Sequence, residues 1–284
     1  MYYDLISIGD STLDTFVQVN DATKLCTAHK KECLLCFSWA DKIPIANLAQ
    51  KTAGNAANVA VGASRLGLKT AIYTVVGDDE TGWKLKQAFE KDKVALEYVG
   101  VDQEKPSNYS VVLTFQQERT ILIYHHPRLY SFPAIESTPW VYYTSMGQGY
   151  EKLQKELVKY LKTHSEAKLA FNPGTHQMKN GLEGMAEVLK LCEIVFLNKE
   201  EAERIVGKAP DMAGLLKKLK AVGPKIAVIT NGTQGSYAFD GEEAWFLQSF
   251  PEKVVEKTGA GDSFAIGFTA GRHYGLSVPE AMLW

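Results

Sequence analysis

The chain has 284 residues, which is enough for one large α/β domain or two ordinary ones with a sizeable core. Apolar residues make up 45% of the sequence and charged residues 23%, as in ordinary globular proteins. The formal net charge is −2, and no block of like charge interrupts the sequence, so the composition argues against a nucleic-acid partner.

The first ten residues, MYYDLISIGD, have an acidic residue at position 4 and no long apolar core. This pattern is typical of a first β-strand. We therefore expect neither a signal peptide nor a membrane-spanning segment, no membrane partner, and a cytoplasmic location.

Short apolar runs, which predict strands, alternate with amphipathic runs, which predict helices. In the first third, strands are predicted near residues 4–9 and 69–77, and helices near 55–67 and 80–92. From residue 140 onward the alternation is regular: the predicted strands are WVYYTSM, KLAFN, EIVFLN and KIAVIT, each followed or preceded by a helix-like run. Such βαβ units predict a doubly wound, mostly parallel central sheet with helices on both faces.

Two segments break this alternation. Residues 15–52 are irregular, and residues 96–126 alternate as strands do, with a hairpin predicted around Gln116–Glu118. Extra antiparallel strands that leave such a domain often cover the ligand cleft. We therefore predict a single α/β domain over residues 1–284 with a small β-sheet lid built from both segments.

A cysteine cluster lies in the first of these segments. Cys26, His29, Cys33 and Cys36 have the residue types of a tetrahedral Zn²⁺ site, although their spacing is cramped. The alternative is a strand that buries Cys33 or Cys36 in apolar surroundings, and we favour it. A structural disulfide is less expected in a cytoplasmic chain.

The run Gly259-Ala260-Gly261 comes directly before a predicted apolar helix. Backbone N–H groups at a helix start are free to bind an anion, and the helix dipole favours negative charge there. Asp262 has two interpretations: an N-cap of the helix, or a carboxylate that accepts the proton of an attacking hydroxyl in phosphoryl transfer.

Polar side chains also follow the first strand and open the first helix. Asp14 follows the first strand, where α/β proteins bind ligands, and it could accept two sugar hydroxyls; the alternative is an ordinary turn residue. Gly54, Asn55 and Asn58 open the helix, where a glycine permits close approach and amides can donate and accept. The alternative is a helix start with Asn55 as its cap.

Two further strand ends carry candidate residues. Asn198 and Glu201 could orient metal-bound water or phosphate, or they could form a capping box, the commoner use of this spacing. Thr230, Gly232 and Gly235 could contact a nucleotide phosphate or form a hairpin turn.

Taken together, the order and spacing of these motifs resemble the PfkB (ribokinase-like) family, which phosphorylates a hydroxyl of sugars and nucleosides with ATP. The resemblance spans nearly the whole chain. It rests on the segments GDSTLD, AGNAANVAVGASRLG, VVGDDETG, LNKEEAE, ITNGTQG and KTGAGDSFAIGFTAG.

The resemblance implies a role for each candidate residue. Asp262 matches the family's general base, and its anion hole is matched by Gly259, Ala260 and Gly261. The positions that grip the acceptor are Asp14, Gly54, Asn55 and Asn58. The residues that position Mg²⁺ and phosphate through water, or that contact ATP, are Asn198, Glu201, Thr230, Gly232 and Gly235. The lid is often used for homodimerisation in this family.

The chain departs from the family pattern in two places. Glu256-Lys257-Thr258 stands where the family commonly has Asp-Thr-Thr, whose aspartate lies near a potassium site, so activation by a monovalent cation is not expected. The sequence also stops at Trp284, before the elements that usually wall the adenine pocket. We therefore expect either a truncated C-terminus or a nucleotide site that is built differently.

The leading interpretation is a Mg-ATP-dependent kinase that phosphorylates the primary alcohol of a sugar or similar small molecule. One alternative is a nucleoside kinase in which Tyr109 or Tyr124 of the lid stacks on a base. Another is a non-catalytic module that binds a sugar or nucleotide. Candidate specificity residues in the lid are Arg119, His125 and His126, besides Tyr109.

Overall fold

The structure is a computed structural model that describes residues 2–27, 33–116, 118–251 and 259–284. Strands alternate with helices along most of the chain. In chain order the strands are β1 (Leu5–Ile8), β2 (Thr12–Val19), β3 (Thr23–Cys26), β4 (Cys33–Cys36), β5 (Ile45–Ala53), β6 (Thr70–Gly77), β7 (Val99–Asp102), β8 (Tyr109–Phe115), β9 (Glu118–Tyr124), β10 (Trp140–Tyr143), β11 (Lys168–Phe171), β12 (Cys192–Asn198), β13 (Ile226–Thr230), β14 (Ser236–Phe239) and β15 (Ala244–Leu247). The helices are α1 (Asn55–Arg65), α2 (Glu80–Lys91), α3 (Glu151–Thr163), α4 (Thr175–Lys179), α5 (Gly181–Leu189), α6 (Lys199–Val206), α7 (Met212–Ala221), α8 (Ala260–His273) and α9 (Val278–Met282).

The large sheet has nine strands in the order β15-β14-β13-β12-β11-β10-β1-β6-β7. Its strands pair in parallel from β7 through β13, and β14 and β15 are antiparallel. All eight residues of β6 are buried, as expected for a strand covered on both faces. The predicted fold class, a doubly wound and mostly parallel sheet, is confirmed.

Helices cover the two faces of this sheet. On one face, α3, α5, α6 and α7 pack in a core that includes Val141 and Tyr143 of β10. On the other face, α1, α8 and α9 pack in a second core that includes Trp140 and Tyr142 of the same strand. The alternation along β10 follows from the two-residue period of a strand. Because α1 and α8 share one face, their N-terminal ends are neighbours.

A separate four-stranded sheet, here called the small sheet, has the order β5-β2-β8-β9. It contains the predicted hairpin, in which Phe115 of β8 pairs with Glu118 of β9. Two details of the prediction are wrong. The segment 15–52 is not irregular but contains parts or all of four strands, and β7 belongs to the edge of the large sheet, where it pairs with β6.

The three cysteines of the predicted cluster lie in a short hairpin of β3 and β4, where Cys26 and Cys33 form a disulfide. A disulfide leaves neither sulfur as a thiolate, so the predicted Zn²⁺ site does not fit this arrangement, and our expectation against a disulfide is wrong. Cys36 is a free, half-buried thiol and Cys33 is exposed, so the buried-strand alternative is also wrong. His29 lies outside the described residues, and within them no group of three potential metal ligands forms.

Within the described ranges, we find no helix with both the length and the apolar character needed to cross a bilayer.

The start of α2 packs tightly against the end of β6 and against the segment that leads into β8. The N-cap Asp79 accepts hydrogen bonds from Gly82 N at 2.7 Å and from the N and Oγ atoms of Ser107, both at 2.7 Å. A Cβ atom at Gly82 would lie 2.2 Å from the carbonyl oxygen of Gly77. Only glycine therefore fits at this position without displacing backbone.

We expect Gly82→Ala to lower the free energy of unfolding by about 1–3 kcal/mol, because the added methyl group forces α2 away from β6. Gly214→Ala is the matched control. Gly214 is also the third residue of its helix, and its N–H donates to the N-cap Asp211 at 2.7 Å. There, however, the nearest atom to an added Cβ is 3.2 Å away, at the end of a side chain. Equal urea midpoints for the two variants would contradict the expected clash.

Candidate active site

A cleft of about 420 Å³ lies at the carboxyl ends of the central parallel strands, between the large sheet and the small sheet. This is the edge at which α/β proteins bind ligands. Ten of the predicted site residues line it: Asp14, Gly54, Asn55, Asn58, Asn198, Glu201, Thr230, Gly259, Gly261 and Asp262. We call it the main cleft.

A second cleft of about 350 Å³ lies beside the main cleft. It is lined by the three remaining predicted residues, Gly232, Gly235 and Ala260. Thr230 and Gly261 line both clefts, so the two clefts meet at the N-terminus of α8. We call it the side cleft.

The N-terminus of α8 is arranged as an anion site. Gly259 is the N-cap, in a left-handed conformation (φ 74°) that favours glycine. The first N–H groups of a helix have no intrahelical acceptor, and they carry the positive end of its dipole. A Cβ atom at Gly261 would have no neighbour within 4 Å, so this turn is open to the clefts.

Asp262 is the third residue of α8, so the alternative of Asp262 as N-cap is wrong. Its Oδ2 atom accepts a hydrogen bond of 2.7 Å from the side-chain amide of Asn58 in α1. Burial raises the pKa of Asp262, and the hydrogen bond from Asn58 opposes that rise. The result is a half-buried carboxylate held in one orientation at the meeting point of the two clefts.

The start of α1 lies directly against the end of β1. Gly54 is its N-cap with φ 98°, and a Cβ there would lie 2.6 Å from the carbonyl oxygen of Asp10. Asn55 does not cap the helix, so that alternative is wrong; its Nδ2 atom lies 3.4 Å from Oδ1 of Asn172. The amide of Asn172 in turn donates to the carbonyl of Phe196 at 2.8 Å.

Asp14 lies within β2 and not in a turn, and it pairs with Ser110 of β8. Burial raises the pKa of Asp14, while hydrogen bonds from Ser110 and Thr12 lower it. Its buried Oδ1 atom has no hydrogen-bond partner among the described residues. Because buried acceptors in folded proteins are normally paired, this atom is suited to a ligand hydroxyl.

Asn198 and Glu201 form the capping box of α6. Asn198 Oδ1 accepts from Glu201 N, and Glu201 Oε2 accepts from Asn198 N, both at 2.9 Å. The structural use of this pair is therefore confirmed. Both side chains also line the main cleft, and burial raises the pKa of Glu201. Capping and a role in the cleft are compatible, because the box leaves further acceptor capacity on both side chains.

Thr230, Gly232 and Gly235 lie where β13 turns back into β14, so the hairpin interpretation is confirmed. Gly232 and Gly235 both have positive φ, 54° and 91°. A Cβ at Gly235 would lie 2.3 Å from the carbonyl oxygen of Leu247. The glycines keep this turn close to β15 and leave it open toward the side cleft.

The structure adds main-cleft residues that the sequence analysis did not assign to the site. Asp10, Ser145 and Asn172 line it from the ends of three parallel strands. A polar residue after a predicted strand is the same sequence signal that identified Asp14, so it could have identified these three residues as well. Ile121 of β9 also lines it, and so does one of the predicted specificity residues, His125, which directly follows β9. The other predicted specificity residues do not line this cleft: Tyr109, Arg119, Tyr124 and His126. Glu256, Lys257 and Thr258 lie outside the described residues.

Comparison with known proteins gives consistent results. The model of the pfkB family carbohydrate kinases matches residues 36–283. The chain is 24% identical to an ATP-dependent 6-phosphofructokinase of Thermoanaerobacterium thermosaccharolyticum, over 99% of this chain and 84% of the relative. It is also 24% identical to a nucleoside kinase of Methanothermobacter thermautotrophicus, over 93% and 81%.

Among solved structures, Arabidopsis thaliana ribokinase complexed with ribose and ATP matches with a TM-score of 0.78 at 20% identity, covering 99% of this chain and 89% of that one. The chain belongs to the pfkB family of carbohydrate kinases. It is a sugar or nucleoside kinase with the ribokinase-like fold, as the resemblance implied.

We expect Asn58→Ala to raise the pKa of Asp262 further. The hydrogen bond from Asn58 lowers this pKa, so its loss leaves the opposing effect of burial unbalanced. The pKa is measured by carbon NMR titration of the aspartate carboxyl groups, with Asp262→Asn to assign the resonance. Asn180→Ala, which removes an amide that bonds Tyr150 far from the cleft, is the control. An unchanged or lowered pKa in Asn58→Ala would show that the bond does not act on the carboxylate.

Proposed function

We propose that the protein transfers the γ-phosphoryl group of ATP to a hydroxyl, a primary alcohol, of a sugar or sugar-like molecule. The observation that carries this proposal is the position of Asp262. Its carboxylate lies at the N-terminus of α8, where the two clefts meet. An acceptor in the main cleft and a nucleotide in the side cleft would therefore have their reacting groups beside the same carboxylate.

Asp262 is the general base in this proposal. The acceptor hydroxyl gives its proton to the carboxylate as its oxygen attacks phosphorus. Burial raises the pKa of Asp262, which brings its basicity closer to that needed for a proton acceptor near neutral pH. The hydrogen bond from Asn58 keeps the carboxylate in place while it accepts the proton.

The backbone N–H groups of Gly259, Ala260 and Gly261 stabilise negative charge on the transferred group. They are rigidly placed at the end of a 14-residue helix, so little reorganisation is needed during the reaction. Charge stabilisation and positioning are the main means by which proteins accelerate phosphoryl transfer.

The side cleft is suited to a nucleotide. Leu247 and Phe250 on one side and residues 282–284 on the other give it an apolar lining, although the sequence analysis expected an incomplete wall here. Gly232 and Gly235 permit close approach of phosphate or ribose, and Thr230 provides a hydroxyl. ATP, when bound, supplies the phosphoryl group. Asn198 and Glu201 would hold Mg²⁺ through water, and the ion would neutralise phosphate charge.

The main cleft favours a sugar over a nucleoside. Asp14, Asn55 and Ser110 offer acceptors and donors for hydroxyl groups. The aromatic residues that we expected to stack on a base, Tyr109 and Tyr124, lie outside this cleft. The Arabidopsis ribokinase that shares the fold holds ribose with ATP, which supports the same pairing of ligands.

The small sheet has features that support a homodimer. Its edge strands, β5 and β9, have no further strand beside them among the described residues. Leu48 and Ile123 on these strands are 58% and 68% exposed. A second copy of the chain that covers this sheet would remove both apolar surface and open edges from water.

We expect Asp262→Asn to lower kcat by about 10²-fold or more, because it removes the proton acceptor and keeps the shape of the side chain. Transfer is measured from ATP and Mg²⁺ to D-ribose, D-fructose, D-fructose 6-phosphate and nucleosides. Asp211→Asn is the control, since asparagine also serves as an N-cap. Near-normal turnover of Asp262→Asn would exclude the general-base role.

The same acceptor panel separates the alternative functions. A parent protein that binds a sugar but transfers no phosphoryl group would favour a non-catalytic binding module, and a preference for nucleosides would favour the nucleoside kinase.

Glu201→Gln separates the two uses of Glu201. Glutamine at the third helical position also forms a capping box, so we expect an unchanged melting temperature. Loss of the charge should weaken the hold on Mg²⁺, so the Mg²⁺ concentration for half-maximal rate should rise about tenfold. Glu280→Gln, in the equivalent box with Ser277, is the matched control. If Glu201→Gln changes only stability, its role is restricted to capping.

A further inference from the structure

A buried hydrogen-bond cluster lies at the floor of the main cleft around Asp10, a lining residue to which no role has been given above. Asp10, which follows β1, accepts hydrogen bonds from the hydroxyl of Tyr130 at 3.0 Å to Oδ1 and 2.8 Å to Oδ2. Its Oδ2 atom also accepts from Gly147 N at 2.7 Å. The backbone N–H of Asp10 donates to the carbonyl of Ser145 at 2.8 Å. Asp10 therefore connects two segments that are distant in sequence.

The cluster is closely packed. A Cβ atom at position 147 would lie 3.0 Å from the Tyr130 hydroxyl and 3.2 Å from Asp10 Oδ2, so glycine allows the three groups to meet. Tyr130 is only 3% exposed. Burial raises the pKa of Asp10 to about 6, against the hydrogen bonds from Tyr130 and Gly147 and the charge of Arg128, which lower it. A buried carboxylate of this kind depends on its hydrogen-bond donors.

Tyr130 belongs to the segment that returns from the small sheet to the large sheet, between β9 and β10. Further contacts hold the same segment, and they include a hydrogen bond of 2.6 Å from Lys105 Nζ to the carbonyl of Pro127. Arg128 pairs with Asp102 at 3.1 Å, and Ser131 N donates to the Tyr73 hydroxyl at 3.0 Å. His125, which begins this segment, lines the main cleft from the small-sheet side. The contact between Asp10 and Tyr130 thus joins the two sides of the cleft. We call residues 125–132, which include the lining residue His125, the roof segment, and residues 145–149 on the large-sheet side the floor turn.

The opposite side of the contact also faces the cleft. Gly147 lies two residues after Ser145, which lines the main cleft. Asp10 holds this turn twice, through the bond from Gly147 N and through the bond to the Ser145 carbonyl. Loss of the carboxylate contacts would therefore remove one of several attachments of the roof segment and one of the two bonds that join Asp10 to the floor turn.

We propose that Asp10 and Tyr130 are a pair of positioning residues that set the distance between His125 and Ser145, and thereby the affinity for the phosphate acceptor. The pair acts on acceptor binding and not on the nucleotide or on the chemical step, because neither Asp10 nor Tyr130 lines the side cleft. The inference rests on the proposed kinase activity.

The test compares Tyr130→Phe with Tyr150→Phe. Both tyrosines are buried, and neither lines the main cleft. Tyr130→Phe removes the hydrogen bond to Asp10 and the bond that the Tyr130 hydroxyl accepts from Gly147 N at 3.2 Å, whereas Tyr150→Phe removes the bond of 2.6 Å that its hydroxyl accepts from Asn180 Nδ2. We expect Tyr130→Phe to raise the KM for the best acceptor of the panel about tenfold, with the KM for ATP and kcat at saturating acceptor within about twofold of the parent values. A tenfold change in the acceptor KM corresponds to about 1.4 kcal/mol of binding free energy. Tyr150→Phe should leave both KM values unchanged.

Asp10→Asn and the double variant with Tyr130→Phe complete a double-mutant cycle. Residues that act as one unit are not additive, so the double variant should raise the acceptor KM little more than either single change. Equal acceptor KM values for Tyr130→Phe and Tyr150→Phe, or fully additive effects in the cycle, would overturn the proposal.

Amide hydrogen exchange of residues 145–149 provides a readout that needs no acceptor. Exchange should be faster in Tyr130→Phe than in the parent, and unchanged in Tyr150→Phe. Unchanged exchange in Tyr130→Phe would overturn the positioning role of Asp10 and Tyr130, even if the enzyme is active. If the parent protein phosphorylates no acceptor, the proposed kinase function is wrong instead. Failure of the positioning proposal and failure of the proposed function are therefore distinguishable.

Discussion

The hydrogen bond between Asn58 and Asp262 joins two helix starts that lie 204 residues apart in the chain. It is possible only because α1 and α8 pack on the same face of the large sheet with their N-termini at the same edge. Both helix starts lie at the carboxyl-end edge of the parallel strands, where ligands bind in α/β proteins, although α1 follows β5 of the small sheet and α8 follows the antiparallel strand β15. The main cleft, the side cleft and the anion site of α8 all depend on that edge.

Much of this arrangement could be predicted from the sequence, because its signals are local. The alternation of apolar and amphipathic runs predicted the parallel sheet. The short polar and glycine-rich runs after predicted strands located Asp14, Asn55 and Asn198 at one edge. For Asp262 and Asn55 the sequence left open a purely structural role as helix N-caps. The structure excludes that role, because the N-caps are the glycines Gly259 and Gly54.

Other features could not be predicted, because they depend on contacts between distant segments. Asn172 meets Asn55 across 117 positions, and Tyr130 meets Asp10 across 120. Neither pairing has a signal in local spacing or periodicity. The same limit explains the error over β7, whose alternating pattern suits a strand in either sheet. The error over Cys26 and Cys33 has a different cause: these residues are close in sequence, and we expected no disulfide because we assumed a cytoplasmic chain.

The most direct test of the central claim is a crystal structure of the full chain with an acceptor sugar and a non-hydrolysable ATP analogue. The acceptor should occupy the main cleft, with one hydroxyl oxygen about 2.6–3.2 Å from a carboxylate oxygen of Asp262. The nucleotide should occupy the side cleft, with its terminal phosphate beside Gly259 and Gly261. Binding of either ligand away from the N-terminus of α8, or an Asp262 carboxylate that contacts neither, would contradict the shared reaction point of the two clefts.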